Sequence, residues 1–392
     1  MIPMDNGGAC KGSAGLGGGP QVAVDRALCE FRATRPVWII GVAGLIALPV
    51  DGLDDAKLAA FRAASVPAGL QLVVSARRAR ALGLAASEPL ALPVPAGHDA
   101  NQLFSLVADV HPEPVVTAIP AGPTAAAALT LAKLALRLPA VVMFEPAGPG
   151  PTFSDAPLVK VAAEAIVGFR GAVTASLTRA GEAQIPLQDG VCARFIYFRD
   201  CVGGGAVAVI VGDPDFSAPV PVRLHSACLT GDVFGSRRCD CGDQLQLALV
   251  RLEAAGGGII LYLEQEGRGL GLANKLRAYQ LQDCGLDTVD ANTTLGFDDD
   301  ERDYGVAGRM LEMLGCKRIL LMTNNPAKLD GLARAGIEIS GRVALHTPIN
   351  VHNRRYLTAK AMRAGHRLDH ICTTGSQIRD DGTAGSRSES TT

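Results

Sequence analysis

The sequence predicts a mixed α/β chain of two domains, the second built around a cysteine cluster of metal-site type. Three observations lead there. Its 392 residues exceed one ordinary core and correspond to about two or three domains of roughly 150 residues. Hydrophobic residues make up 48% at a mean hydropathy of +0.22, enough to fill sizeable cores and to exclude a disordered chain. Short apolar runs alternate with Ala- and Leu-rich helical stretches, with Gly, Pro and Asp turns between them.

The elements follow in order. Residues 1–24 are rich in Gly, Ser and Ala, and residues 373–392 in Ser, Thr, Gly and charge; both read as disordered tails. Residues 25–190 form the first α/β domain, with strands expected at Val37 to Ile40 and Leu70 to Val74 ahead of Ala-rich helices. Residues 191–372 form the second. Arg194 to Phe198, Ala206 to Val211 and Val220 to Leu224 read as strands. Leu245, Ala248, Leu249 and Leu252 share one helical face, stopped by Gly256 to Gly258, and the helix feeds a strand at Ile259 to Leu263. Helices are expected from about Asn274 to Gly285 and from about Arg302 to Gly315. The strand Ile319 to Met322 then leads to Asn325 as N-cap with Pro326 at the first helical position.

Charge narrows the function. Lys and Arg total 37 against 39 Asp and Glu, a formal charge of −2, and with 4% aromatics the chain has neither the field nor the stacking surface expected for a nucleic-acid partner. No uncharged stretch is long enough and free of proline to span a membrane, since Pro36 to Val50 is short and Pro114 to Ala132 holds three prolines. The start lacks a basic segment followed by an apolar one, so a cytoplasmic location is expected. In that compartment, crowding three of ten cysteines between Cys228 and Cys241 favours metal binding or catalysis over disulfides.

Four motifs carry chemistry. Cys228, Cys239 and Cys241 make a Cys-x10-Cys-x-Cys pattern whose three thiolates suit zinc with one coordination position open, the mark of a catalytic site. The same pattern fits three small buried residues, or a closed structural site completed by His225. Glu266-Gly267-Arg268-Gly269 after a strand fits a backbone approach to an anion, or a plain turn with a solvated arginine. Thr323 and Lys328 flank a helix start of the kind that holds phosphate, though such starts also occur with nothing bound. The acidic run Asp298 to Asp303 suits Mg²⁺, the positioning of Arg302, or an ordinary helix-dipole complement.

Taken together, Arg223-Leu224-His225-Ser226-Ala227-Cys228-Leu229-Thr230-Gly231-Asp232, Arg238-Cys239-Asp240-Cys241-Gly242, Gln265-Glu266-Gly267-Arg268, Asp300-Glu301-Arg302 and Thr323-Asn324-Asn325-Pro326 resemble GTP cyclohydrolase II in order and spacing. The resemblance covers roughly Arg223 to His370. It implies hydrolysis of GTP to formate, pyrophosphate and 2,5-diamino-6-ribosylamino-4(3H)-pyrimidinone 5′-phosphate, the entry step of riboflavin synthesis, by a homodimer using one zinc per chain and Mg²⁺ with the triphosphate. Carried over by residue, Cys228, Cys239 and Cys241 would hold zinc, and water activated there would attack C8 of guanine. Arg223, Leu224, His225, Ser226, Ala227, Gln244, Glu266, Gly267, Arg268, Thr288, Thr323 and Lys328 would contact GTP. Tyr279 would serve ring hydrolysis, Asp300 would accept a proton, and Arg302 would attack the α-phosphate. A guanidinium stays protonated up to a pKa above about 12, so physical chemistry alone makes Arg302 an electrostatic clamp instead. Ala227 and Glu264 depart from the family pattern, which has glutamate and arginine there.

Residues 25–190 are faintly similar to 3,4-dihydroxy-2-butanone-4-phosphate synthase but lack its Mg²⁺-binding acidic run; Asp51, Asp54 and Asp55 are the nearest acid cluster. A decayed domain kept for assembly or stability is expected, with an unrelated α/β domain as the alternative. Because every site candidate follows Arg223, residues 190–373 are expected to fold and act alone. Rival functions for the whole chain are a non-catalytic zinc-binding scaffold or regulator and a family member that stops at the formylated intermediate, against which Tyr279 argues.

Overall fold

The computed structural model describes residues 19–368 except 113, 116, 147, 149–156, 188–189 and 364. The first α/β half is a seven-stranded sheet, β1 (Val37–Ile40), β2 (Leu45–Pro49), β3 (Gln71–Val74), β4 (Leu90–Pro93), β5 (Ile119–Pro120), β6 (Ala140–Phe144) and β7 (Val159–Ala162), in the order β5-β4-β3-β6-β2-β1-β7. Its strands alternate their side chains between two faces, and each face has its own core. One, around Phe31, Val37 and Leu131, is covered by α1 (Pro20–Arg32), α5 (Gly122–Leu134) and α6 (Ala163–Ala175). The other, around Phe61, Leu72 and Leu103, is covered by α2 (Asp55–Ala64), α3 (Ala76–Ala81) and α4 (Ala100–Ala108).

The structure moves two expected boundaries. Residues 20–24 are the first turns of α1 instead of tail, because Pro20 opens the helix and Val24 joins Ala27, Leu28 and Phe31 on a buried face. The rest of that tail, and residues 373–392, lie outside the described residues. The division expected at 190 falls within a hairpin, since β8 (Thr178–Pro186) pairs along β9 (Cys192–Arg199) and the Leu187 amide donates to the Val191 carbonyl at 2.7 Å. The change of sheet comes between Ala175 and Thr178.

The second sheet adds β10 (Gly205–Gly212), β11 (Val220–Ser226), β12 (Gly257–Leu263), β13 (Arg318–Met322) and β14 (Glu338–Val343), in the order β14-β13-β11-β12-β10-β9-β8. β11 runs parallel to both neighbours, β12 and β13, so their carboxyl ends and the loops that follow open on one edge of the sheet. Helices α7 (Cys241–Ala254), α9 (Leu272–Asp283), α10 (Thr288–Thr294), α11 (Gly305–Met313), α12 (Pro326–Arg334) and α13 (Arg354–Arg363) pack around it, with the short turn α8 (Glu266–Gly269) after β12. The helix expected from Arg302 begins three residues later, because residues 301–304 are irregular and Asp303 Oδ1 takes up the Gly305 amide at 2.8 Å. A smaller apolar cluster joins the halves: Ala108 and Leu138 pack with Leu270, Ala278, Ala291, Leu295 and Phe297. Among the described residues no helix is long and apolar enough to cross a membrane.

Candidate active site

A cleft of about 980 Å³, counting the solvent-open space at its mouth, lies where β11, β12 and β13 end. It gathers residues from all five of the sequence blocks. Arg223, His225, Ser226 and Ala227 come from β11 and its exit, Gln244 from α7, and Glu266, Gly267 and Arg268 from the turn after β12. Tyr279 comes from α9, Thr288 from the start of α10, Arg302 from the irregular loop before α11, and Thr323 and Lys328 from the β13-α12 turn.

The cysteine block folds as expected of a metal site. Cys228 follows β11, a single π-turn over Leu229–Val233 reverses the chain, and Cys239 and Cys241 return to meet it. The three sulfurs lie within 4.8 Å of one another and Cys228 Sγ is 3.7 Å from Cys239 Sγ. Thiolates about 2.3 Å from a tetrahedral zinc would stand about 3.8 Å apart, so the donor set fits. A Cβ on Gly231 would lie 2.9 Å from Cys239 Sγ and 3.1 Å from Cys228 Sγ, so only glycine leaves that space clear. His225 does not complete a closed site. Its Nε2 faces the Asp232 carboxylate at 3.0 and 3.1 Å, and burial holds the ring neutral. Asp232 also accepts from the Cys228 amide and the Tyr262 hydroxyl, both at 3.0 Å, and so fixes the start of the cysteine loop.

The sequence did not single out Lys275, whose Nζ sits 3.0 Å from Cys228 Sγ and 2.8 Å from Glu266 Oε1. Glu266 in turn accepts from the Leu229 amide at 2.7 Å. Its carboxylate therefore supports the cysteine loop. Hydrogen bonds from Cys239 and Cys241, with Lys275 adding to them, favour the Cys228 thiolate.

The phosphate-type residues form a second group. Arg302 is almost fully buried and binds Asp300 through Nε and Nη2, each at 2.7 Å, while Tyr304 donates its hydroxyl to Asp300 Oδ2 at 2.8 Å. Burial disfavours both charges, but the pairing overrides it: the Asp300 carboxyl is held below its ordinary range and the Arg302 guanidinium is held charged. Lys328 donates to the Leu224 carbonyl at 2.7 Å, and burial, with Arg223 and Arg302 nearby, pushes its ammonium well below the usual lysine range. Burial also brings Arg223 down to about 10.

Leu224 and Asp300 are the two expected site residues that do not line the cleft: the Leu224 side chain is buried in the core, and Asp300 stands behind Arg302. Glu264 is exposed and away from the lining. The acidic run is not a carboxylate cluster, because its members face different partners. Asp298 pairs with Arg77 and Lys133, Asp300 with Arg302, and Asp303 with the Gly305 amide. Among the described residues only the three cysteines converge as metal donors.

Three more lining residues lie beyond every sequence block, on or after α13: Tyr356, Lys360 and His366. Lys360 Nζ binds the buried Asp240 at 2.9 Å, between two of the cysteines in sequence. Burial, with Lys360 and Arg268 nearby, drops the His366 pKa to about 2, so it is neutral.

A profile of the GTP cyclohydrolase II family matches residues 178–344, the span from β8 to just past β14. The GTP cyclohydrolase-2 of Xylella fastidiosa strain 9a5c is 40% identical over 359 residues, 89% of this chain and 88% of that one. The chain belongs to the GTP cyclohydrolase II family. The GTP cyclohydrolase-2 of Azotobacter vinelandii is 51% identical over 189 residues, 91% of its own length but 48% of this chain. The riboflavin biosynthesis protein RibBA of Bacillus mycoides is 42% identical over 253 residues, 62% of this chain and 64% of its own. Membership thus extends well beyond the matched profile, across both halves of the chain.

Proposed function

We propose that the protein hydrolyses GTP to formate, pyrophosphate and 2,5-diamino-6-ribosylamino-4(3H)-pyrimidinone 5′-phosphate, the entry step of riboflavin synthesis. One observation carries this reading: a single cleft holds three converging cysteine sulfurs together with Arg223, Arg268, Arg302 and Lys328. A purine nucleotide whose ring is to be opened and whose phosphates are to be cleaved needs both. Cys228, Cys239 and Cys241 would hold one zinc ion, which would supply Lewis acidity and water activated near neutral pH. Lys275 offsets the excess negative charge of three thiolates around a dication.

The chain's own residues do the rest. Arg223 and Lys328 receive the triphosphate, with Mg²⁺ accompanying it. The Tyr279 phenol is kept protonated by burial, and Arg238 stacks over its ring at 4.4 Å, so it is a fixed proton donor for the opening ring. Asp300 keeps Arg302 charged and oriented, which favours Arg302 as a clamp on developing phosphoryl charge over a free nucleophile.

The first half works without the synthase chemistry its faint likeness suggests. Its acids are taken up by structure: Asp51 binds Arg277, Asp54 caps α2, and Asp55 accepts the Ala100 amide. The test is the purified full chain with GTP and Mg²⁺, following formate, pyrophosphate and product absorbance together. Equal yields of formate and pyrophosphate are expected, with no conversion of ribulose 5-phosphate. Zinc-loaded protein that turns over nothing would make it a scaffold, and formate released without pyrophosphate would overturn the assigned reaction.

A further inference from the structure

Asp300 and Arg302 sit on a stretch with no regular structure, residues 297–304, so no helix or sheet ladder fixes its path. Its inner side is held by the second domain. The Glu301 amide donates to the Arg268 carbonyl at 3.1 Å, Arg268 Nη1 to the Asp299 carbonyl at 3.2 Å, and Gln265 Nε2 to the Asp303 carbonyl at 2.8 Å. Its outer side is held by the first half, through three separate elements. At the start of α3, Ser75 Oγ donates to the Gly296 carbonyl at 2.6 Å and the buried Arg78 donates through Nη1 to the Thr294 carbonyl at 2.9 Å. Arg78 is itself anchored on the carbonyls of Ser105, Leu106 and Asp109. From α5, Lys133 reaches Glu301 Oε1 at 2.5 Å and Asp298 Oδ2 at 3.3 Å. From α6, Arg170 donates to the Glu301 carbonyl at 2.7 Å. That carbonyl belongs to the peptide bond that carries the Arg302 nitrogen. The fit is close on both sides: a Cβ on Gly269 would meet the Glu301 carbonyl at 2.9 Å, and one on Gly296 would meet Ser75 Oγ at 3.0 Å.

We propose that the first half is a positioning body built into the chain, which holds the Asp300-Arg302 segment in its working path through Arg170 and Lys133 on Glu301 and through Ser75 and Arg78 on residues 294–296. The inference rests on the functional reading above for what the segment does, but not for how it is held. It replaces the expectation that residues 190–373 act alone, which counted only where the site residues lie in sequence and not what presses on them. The shorter Azotobacter relative has no room for such a half, so the dependence is a property of chains built like this one.

The experiment uses the full chain as wild type, the Arg170→Ala/Lys133→Ala double variant, and Arg170→Lys. Amide exchange of residues 298–302 is expected to rise at least about tenfold in the double variant while β12 and the zinc content stay as in wild type. Pyrophosphate release is expected to lose about 10- to 100-fold in kcat with the KM for GTP within about threefold, as a displaced group costs rate more than binding. Arg170→Lys, which keeps a donor at that place, should recover most of the loss. Unchanged exchange at 298–302 would overturn the proposal whatever the activity, and so would a wild-type kcat in the double variant. A wild-type protein that leaves GTP intact would instead refute the functional reading, and the exchange measurement would still decide the positioning role.

Discussion

Replacing Arg302 by alanine tests the phosphate half of the site most directly. The side chain is 9% exposed, lines the cleft, and makes two 2.7 Å hydrogen bonds to Asp300. Deleting a preorganised donor aimed at developing charge costs about 10²- to 10³-fold in rate, or about 2.7 to 4 kcal/mol, and a covalent role would cost more. Stability should fall too, because Asp300 is left with Tyr304 and the residue-302 amide; for a part-buried carboxylate the loss is about 1 to 3 kcal/mol. Its sign with pH follows from Asp300. A carboxyl whose folded pKa is depressed stabilises above its free pKa of about 4 and loses that contribution as the pH falls through the folded value. Wild type and variant should therefore differ in melting temperature at neutral pH and converge in strong acid. Arg302→Lys keeps the charge without the two-pronged geometry and should fall between them. Pyrophosphate and formate are measured in parallel under GTP saturation. An Arg302→Ala protein releasing pyrophosphate at the wild-type rate would refute the assignment, whichever role the arginine has.

Three further outcomes are expected. Cys239→Ser should lower zinc from one per chain towards none by elemental analysis and stop formate release, whereas full formate production by metal-free protein would remove zinc from the mechanism. Docking of a polyanion should restore the ordinary basicity of Lys328, so GTP binding should take up a proton and weaken as the pH rises through the lysine's lowered pKa; calorimetry in buffers of different ionisation enthalpy reads the uptake, and none at all would contradict it. Gly331→Ala should destabilise by about 1 to 3 kcal/mol and slow turnover, since the added Cβ would lie 2.4 Å from Tyr304 Cδ2 and push the hydroxyl that supports Asp300; an unchanged denaturation midpoint would show that the packing yields there.

The cysteine cluster and the Gln265-to-Arg268 and Thr323-to-Pro326 turns were legible because each is a local pattern: a few residues close in sequence create the geometry. Seven of the fourteen described strands, β1, β3 and β9 to β13, were legible for the same reason, but β2, β4 to β7, β8 and β14 were not read; β8 was hidden by the exposed, mixed composition of Thr178 to Pro186, where no alternation marks a buried face. Lys275, Asp232 and Lys360 could not be read. Each is an ordinary charged residue until folding sets it against a thiol, an amide or Asp240, and Lys360 meets Asp240 across 120 positions of chain. Leu224 shows the opposite case. It was expected to contact GTP with its neighbours; those neighbours line the cleft, but strand alternation turns the Leu224 side chain into the core and leaves its carbonyl to hold Lys328.

The α13 segment brings time into this architecture. The cysteines, Arg302 and Lys328 all leave the ribosome before Tyr356, Lys360 and His366, and until those arrive the buried Asp240 beside the cysteine cluster has no ammonium to meet it. The cleft is thus completed by nearly the last described residues of the chain to be made. A nascent or clipped polypeptide that stops before residue 354 carries every motif by which the family is known yet lacks the Tyr356-Lys360-His366 wall of the cleft, and leaves Asp240 with Gln244 and the nearby Arg223 alone.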